Sequence, residues 1–148
     1  MIRDFEDLLN QAKNLEAVKV SVAAAEDEAV LKAVKYAVDL GFVKPILVGD
    51  KNKIELIARN ICLKDYEVVH SDSPEESVKK AVELVKTNKA KVLMKGLVNT
   101  STYLRGVLDK ENGLRTGRLL SLLAVYELPQ YHKLLYCTDS GINVAPYL

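Results

Sequence analysis

Short β-branched runs alternate with amphipathic runs over roughly the first hundred residues of this chain. Four apolar runs are typical of buried strands, and they lie at 18–22, 45–49, 66–70 and 92–94. Apolar residues recur at helical spacing between and beside them, over 2–14, 26–40, 52–61, 74–87 and from about residue 100. Because strands and helices alternate, we predict an α/β fold with a mostly parallel sheet between two layers of helices, a three-layer αβα sandwich.

The pattern changes after residue 118. One apolar run covers Leu119–Leu128, the four residues 129–132 break it, and a second run covers Leu134–Cys137. Two such runs around a short break predict a C-terminal antiparallel hairpin, which we expect to join the parallel sheet and make it mixed. The chain has 148 residues and no repeat or linker, so we predict a single α/β domain over 1–148.

Composition excludes several classes of function. With 21 Lys and Arg against 20 Asp and Glu, the net charge of +1 gives no general attraction to nucleic acid or to an anionic membrane. No apolar run is long enough to span a bilayer, and the acidic N-terminus lacks the features of a signal peptide. Cys62, Cys137, His70 and His132 do not make a convincing zinc site, so we expect no metal and two buried or idle thiols in a cytoplasmic protein.

Polar and basic residues concentrate in 95–118, where five Lys and Arg face two Asp and Glu, a local charge of 5 − 2 = +3. The segment Lys95–Ser101 joins the end of a predicted strand to the start of a predicted helix, and ligands of open α/β sheets bind at that edge. Unpaired N–H groups at a helix N-terminus suit phosphate, and Arg105 could add a two-pronged contact. The alternative is that Thr100 or Ser101 only caps the helix and that Arg105 is solvated. Neither GxxxxGK[ST] nor GxGxxG occurs.

Four further residues have a chemical and a structural interpretation. Arg115 and Arg118 lie in a loop framed by glycines, where they could flank one anion or simply form a flexible basic loop. Asp139 would meet the same sheet edge if its strand ran parallel to the first four, or it could shape a turn. His70 ends a predicted strand and could act as a general base, although a histidine beside Ser71 is more typical of a loop.

Three motifs resemble the phosphate acetyl/butyryltransferase family, and within it most closely the phosphate butyryltransferase branch. They are Lys95–Arg105, GLRTGRLLS at 113–121 and DSGINVAP at 139–146. The resemblance implies an enzyme that exchanges an acyl group between coenzyme A and inorganic phosphate, with no metal and with coenzyme A as substrate instead of cofactor. Family members have two α/β domains around a cleft. This chain resembles the first half, which is similar to half of an isocitrate or isopropylmalate dehydrogenase.

The resemblance also implies a set of substrate-binding residues. Thr100, Ser101 and Arg105 match the phosphate-side loop, and the remaining matches lie nearby or at the domain junction. The full predicted set is Lys95, Asn99, Thr100, Ser101, Arg105, Arg115, Arg118, Asp139 and Asn143.

The family's C-terminal catalytic segment has no counterpart in these residues, so no catalytic residue is assigned. We therefore predict a butyryl- or acetyl-type phosphate acyltransferase that is incomplete as this chain, with phosphate and acyl-CoA as ligands and a homo-oligomeric state. The alternatives are a non-catalytic anion-binding module and a subunit that needs a partner chain to close the cleft.

Overall fold

The computed structural model describes residues 2–139, which form two compact units. The larger unit covers Glu16–Arg115, and the smaller one combines 2–15 with 116–139. The helices are α1 (Phe5–Ala12), α2 (Glu28–Asp39), α3 (Lys51–Asn60), α4 (Pro74–Lys86) and α5 (Thr100–Val107). The strands are β1 (Val18–Ala23), β2 (Val43–Gly49), β3 (Glu67–His70), β4 (Val92–Lys95), β5 (Leu123–Tyr126) and β6 (Leu135–Thr138).

The larger unit contains a four-stranded parallel sheet in the order β3-β2-β1-β4. The central strands β1 and β2 are buried over most of their length, because both faces of the sheet are covered by helices. This arrangement confirms the predicted α/β fold with its mostly parallel sheet.

Two separate apolar clusters hold the helices against the sheet. On one face, Val22 and Leu47 pack with residues of α2 and α3, including Leu31 and Ile54. On the other face, Ala23 and Val48 pack with Val78, Ala81 and Val82 of α4, and Val107 of α5 joins them. Since neighbouring residues of a strand point to opposite faces, β1 supplies both clusters, and the three layers are those that the sequence predicts.

The smaller unit contains α1 and the predicted hairpin. Strands β5 and β6 pair antiparallel, with Val125 opposite Tyr136, but they form a two-stranded sheet of their own. The expectation of one mixed sheet is therefore wrong. An apolar pattern specifies how the two strands of a hairpin pair with each other, and it carries no information about a further sheet that they might join.

The end of α2 and the start of α4 both have residues that favour a helix boundary. Gly41 follows α2 with φ +77°, as expected for a residue that ends a helix in the left-handed region. Ser73 caps α4 by accepting from the Glu76 N–H at 3.2 Å, and Pro74 occupies the first turn. The Glu76 carboxylate accepts from the N–H of Asp72 at 2.8 Å, whereas in a capping box it would accept from the N–H of the N-cap Ser73. The same carboxylate forms a salt bridge of 2.8 Å with the Lys80 ammonium.

No helix within residues 2–139 has the length and apolar character needed to cross a membrane.

Candidate functional site at the carboxyl edge of the sheet

The order in which strands are added to the sheet reverses at β1. Strands β2 and β3 lie on one side of β1, and β4 lies on the other. The chain leaves β1 toward α2 on one face, whereas it leaves β4 toward α5 on the opposite face. Loops that diverge in this way open a crevice at the carboxyl ends of the two strands, which is where open α/β sheets bind ligands. The predicted segment Lys95–Ser101 leaves β4 at this position.

Gly96 allows the loops after β1 and β4 to meet. Its N–H donates to the Ala23 carbonyl at 2.8 Å, and the Leu97 N–H donates to the Ala24 carbonyl at 2.9 Å. A Cβ atom on Gly96 would lie 2.2 Å from the Ala24 carbonyl oxygen, well inside contact distance. The glycine is therefore required for packing of the strand ends, and it positions the segment that follows.

The N-terminus of α5 lacks the side-chain cap that the other described helices have. Asp4, Asp27, Asp50 and Ser73 each accept a hydrogen bond from the first turn of their own helix. Asn99 is the N-cap of α5, and its side chain makes no such bond. The alternative that Thr100 or Ser101 caps the helix is not borne out, because the N-cap is Asn99, with ψ 137°; Arg105 is exposed, as the same alternative held. Thr100 and Ser101 instead lie exposed in the first turn, where their N–H groups can meet an anion.

Helices α4 and α5 border two adjoining cavities of about 270 and 260 Å³, which we call together the α4/α5 groove. Both cavities are lined by Glu75 and Thr102. The first is lined in addition by Val78, Lys79, Val82, Arg105, Gly106, Asp109 and Asn112, and the second by Pro74, Leu97, Val98 and Asn99. Two predicted residues, Asn99 and Arg105, thus lie along one continuous surface that begins at the uncapped helix end.

Four charged side chains line the groove, namely Glu75, Lys79, Arg105 and Asp109. Asp109 accepts hydrogen bonds from the N–H groups of Asn112 at 2.7 Å and Glu111 at 3.0 Å, and these bonds hold the pKa of its carboxyl below the ordinary value. Arg105 is exposed and makes no hydrogen bond or ion pair with any other residue of 2–139. Nearby on α5, burial raises the pKa of the half-buried Tyr103.

The remaining predicted residues are not gathered in the groove. The Lys95 ammonium lies 3.5 Å from the carbonyl of Gly96, and Arg115 is exposed at the end of the larger unit; neither lines a groove cavity. Arg118 and Asp139 belong to the smaller unit. Asp139 exchanges backbone and side-chain hydrogen bonds with Leu122 across the hairpin, at 2.8 and 3.3 Å. Asn143 lies outside the described residues.

His70 has both ring nitrogens engaged. Its Nδ1 accepts from the Lys51 N–H at 3.3 Å, at the start of α3, and its Nε2 lies 3.0 Å from Asp72 Oδ1. A ring held in this way supports the start of α3 and is not poised as a general base. Cys62 and Cys137 are both exposed free thiols. Of the two expected states, buried or idle, burial is therefore wrong for both. Within 2–139, no group of three or more His, Cys, Asp or Glu residues could hold a metal ion.

The set of predicted site residues did not include Glu75, Lys79 or Thr102. A signal exists on α4, where Glu75 and Lys79 are four residues apart and border the apolar stripe of Val78 and Val82. The sequence does not show which helix packs beside the part of α4 that carries Glu75 and Lys79. Consecutive helices on one face of the sheet pack together, as α4 and α5 do here, and only that packing brings Arg105 and Lys79 into the same cavity.

Comparison with known proteins identifies the family. A sequence model described as phosphate acetyl/butaryl transferase matches residues 4–80 and 65–148. The chain belongs to this family. It is 45% identical over 148 residues to a phosphate butyryltransferase of Clostridium beijerinckii, covering 99% of the chain and 49% of that protein. It is 46% identical to the phosphate butyryltransferase of Clostridium acetobutylicum, covering 100% of the chain and 50% of the relative.

A solved structure agrees with this assignment. The branched-chain phosphotransacylase of Enterococcus faecalis V583 superposes with a TM-score of 0.72 at 30% identity, over 88% of this chain and 45% of that one. A phosphotransacetylase of Streptococcus pyogenes has the same TM-score at 16% identity, which shows the shared fold alone. The chain spans about half the length of the relatives that it matches.

Proposed function

We propose that this chain forms the phosphate-binding half of a phosphate acyltransferase that converts an acyl-CoA and inorganic phosphate to an acyl phosphate and CoA. Membership of the family supports the reaction class. The observation that carries the proposal is the first turn of α5, which lies at the carboxyl edge of the sheet with exposed Thr100 and Ser101 and no side-chain cap from Asn99. Partial positive charge and free N–H groups at such a helix start bind phosphate.

The chemistry needs positioning more than it needs a nucleophilic side chain. A phosphate oxygen attacks the thioester carbonyl carbon and forms a tetrahedral oxyanion. The carbon–sulfur bond then breaks, and the departing thiolate takes up the proton released from phosphate. Two anionic substrates must be held together against their repulsion, so donors and cations that face both of them lower the barrier. Thr100 and Ser101 would hold the attacking phosphate, and Arg105 would supply positive charge one turn further along α5.

The other assignments remain part of the proposal. Lys95, Arg115, Arg118, Asp139 and Asn143 are assigned to substrate on the family resemblance. The chain corresponds in this proposal to the first half of a two-domain enzyme, and the second half supplies the catalytic groups. Coenzyme A is a substrate and not a cofactor, the acyl group is butyryl or acetyl, and the protein acts as a cytoplasmic homo-oligomer.

The test measures free thiol released from butyryl-CoA and from acetyl-CoA, with and without phosphate. The chain is assayed alone and after addition of a separately produced polypeptide that matches the remaining half of the Clostridium acetobutylicum relative. We expect phosphate-dependent thiol release only in the mixture, and about a hundredfold less of it when the chain carries Arg105→Gln. A mixture that binds phosphate but releases no thiol would contradict the acyltransferase proposal.

A non-catalytic anion-binding module is the second candidate. It is favoured by the exposed first turn of α5, which lacks a side-chain cap and could hold an anion without any reaction. Phosphate binding by the chain, together with the absence of turnover in the mixture, would support it.

A further inference from the structure

We propose that the α4/α5 groove binds an extended organophosphate, with its phosphate between Lys79 and Arg105 and its chain along Val78, Val82 and Gly106. This inference rests on the proposed function and deepens it, because a CoA thioester carries such a group in its phosphopantetheine arm. It adds Lys79 as a binding residue.

The first observation is a contrast between two ion pairs on α4. Glu76 and Lys80 are four residues apart and form a salt bridge of 2.8 Å. Glu75 and Lys79 have the same spacing on the neighbouring stripe, yet they form no salt bridge within 4.0 Å. Within the described part of the chain, the Lys79 ammonium has no hydrogen-bond partner either. Glu75 and Lys79, which border the groove, therefore form no ion pair, whereas Glu76 and Lys80 beside them do.

The second observation is that two unpaired cations line the same cavity. Arg105 of α5 and Lys79 of α4 both line this cavity, and neither forms a hydrogen bond or a salt bridge with another residue of 2–139, although the charge of Lys79 interacts at longer range with that of Asp109. Guanidinium and ammonium groups in one cavity suit an anion with several acceptor oxygens. A phosphate group offers these acceptors in a compact form.

The carboxylates of the groove do not cancel this preference. Asp109 already accepts from the N–H groups of Asn112 and Glu111, and its weaker interaction with the charge of Lys79 is shared with Lys86. Glu75 lies in the first turn of α4, where the helix dipole favours a negative charge. Glu75 remains available as an acceptor, so a ligand with amide N–H or hydroxyl donors next to its phosphate fits better than a bare anion.

The floor of the cavity is apolar. Val78 and Val82 are almost completely buried, with 1% and 2% of their surface exposed. Gly106 faces them without a side chain, and a Cβ there would lie 2.4 Å from Val78 Cγ1. The volume of about 270 Å³ is close to the lower end of small-molecule sites, roughly 300–1,000 Å³.

The groove leads to the proposed phosphate site. Its second cavity shares Glu75 and Thr102 with the first and extends to Asn99, the N-cap of α5. A ligand longer than the first cavity would therefore extend toward the first turn of α5, where the attacking phosphate is proposed to bind.

The test follows the methyl resonances of Val78 and Val82 in the 148-residue chain during titration with 4′-phosphopantetheine. We expect both residues to respond at saturation, and we expect Lys79→Gln to weaken binding about tenfold, as loss of one charge-assisted contact would. Lys80→Gln is the matched control, because it removes the same charge from the next residue of α4, where Lys80 pairs with Glu76. Its affinity should equal that of the unmodified chain.

Two further ligands separate the sources of binding. Pantetheine lacks the phosphate, and butyl phosphate lacks the long chain; each should bind at least tenfold more weakly than 4′-phosphopantetheine. The inference is overturned if the two valines do not respond, if Lys79→Gln and Lys80→Gln bind equally well, or if either shorter ligand binds as tightly. Titration with inorganic phosphate reports separately on the amides of Thr100 and Ser101, so failure of the proposed function is distinguishable from failure of this one.

Discussion

The Ser77 hydroxyl accepts a hydrogen bond of 2.7 Å from the backbone N–H of Ala24 and so ties α4 to the end of β1. Both residues are completely buried, and Ala24 has φ +51°, an uncommon conformation for a residue with a side chain. The same hydroxyl donates to the Val48 carbonyl at 2.8 Å. One side chain thus holds two strand ends at the edge where the candidate site lies.

Replacing Ser77 with alanine should destabilise the larger unit by about 1–3 kcal/mol, because the Ala24 N–H would be buried without an acceptor. The Val48 carbonyl would still accept from Ala25 at 3.0 Å, so the cost falls mainly on the donor. Urea unfolding measures the change. The exposed Ser121→Ala serves as control and should change the free energy of unfolding by less than about 0.5 kcal/mol. Equal effects of the two substitutions would contradict the assignment.

Gly96→Ala should separate the loops after β1 and β4. The new Cβ would meet the Ala24 and Ala23 carbonyl oxygens at 2.2 and 2.5 Å, and backbone atoms cannot move aside as a flexible side chain can. We expect a loss of about 3 kcal/mol in unfolding free energy, together with large amide shifts at Leu97. Gly41→Ala is the control, since Gly41 has open space around it and its φ of +77° costs only about 1–2 kcal/mol with alanine. A smaller loss at Gly96 than at Gly41 would refute the packing role.

Asp50 should make part of the stability dependent on acid pH. The N–H of Lys53 lowers the pKa of this carboxyl most strongly, and the N–H of Asn52 acts in the same direction. Because the native pKa lies below the unfolded one, the stabilisation is complete above the unfolded value of about 3.9 and is lost as the pH falls through the native pKa. Asp50→Asn keeps a cap without the charge. Urea midpoints should therefore fall less steeply below about pH 4 in this variant, and identical slopes would contradict the assignment.

Self-association should depend on the exposed face of the hairpin. Leu123 and Tyr136 lie on one face of β5 and β6, with 62% and 61% of their surface exposed. A two-stranded hairpin also has unpaired edges, which favour contact with another chain. Light scattering should give a mass above the 16.4 kDa of one chain, and Leu123→Lys should lower it.

The matched control for association is Leu56→Lys. Leu56 is 59% exposed on α3 of the larger unit and is not part of a strand. This variant should associate like the unmodified chain. A monomeric unmodified chain, or equal loss of association in both variants, would count against the role of the hairpin.

Local patterns were sufficient to predict the elements of the larger unit. Val18–Val22 and Ser73–Glu76 each contain their own signal, a β-branched run in the first case and a cap followed by proline in the second. These signals depend on residues that are close in sequence, so a strand or a helix start can be predicted from them without knowing how the elements pack. The family resemblance also rests on contiguous motifs, and the match to the family confirms it.

The candidate site was predicted only in part, because it depends on contacts between elements. Asn99, Thr100 and Ser101 lie at the sheet edge as expected, but the missing cap depends on the side-chain conformation of one residue. The pairing of Lys79 with Arg105 depends on how α4 packs against α5. No local signal shows whether the hairpin strands pair only with each other or also with a further strand, so the sequence could not predict the two-stranded sheet.

Titration of the ¹⁵N-labelled chain with inorganic phosphate tests the central claim most directly. The account predicts saturable shifts of the Thr100, Ser101 and Thr102 amides in the first turn of α5, with weaker binding after Arg105→Gln and no comparable shifts at the side-chain-capped start of α2, where Asp27 accepts from Val30 at 2.9 Å. Shifts of equal size at the starts of α2 and α5, or no response in α5, would contradict it.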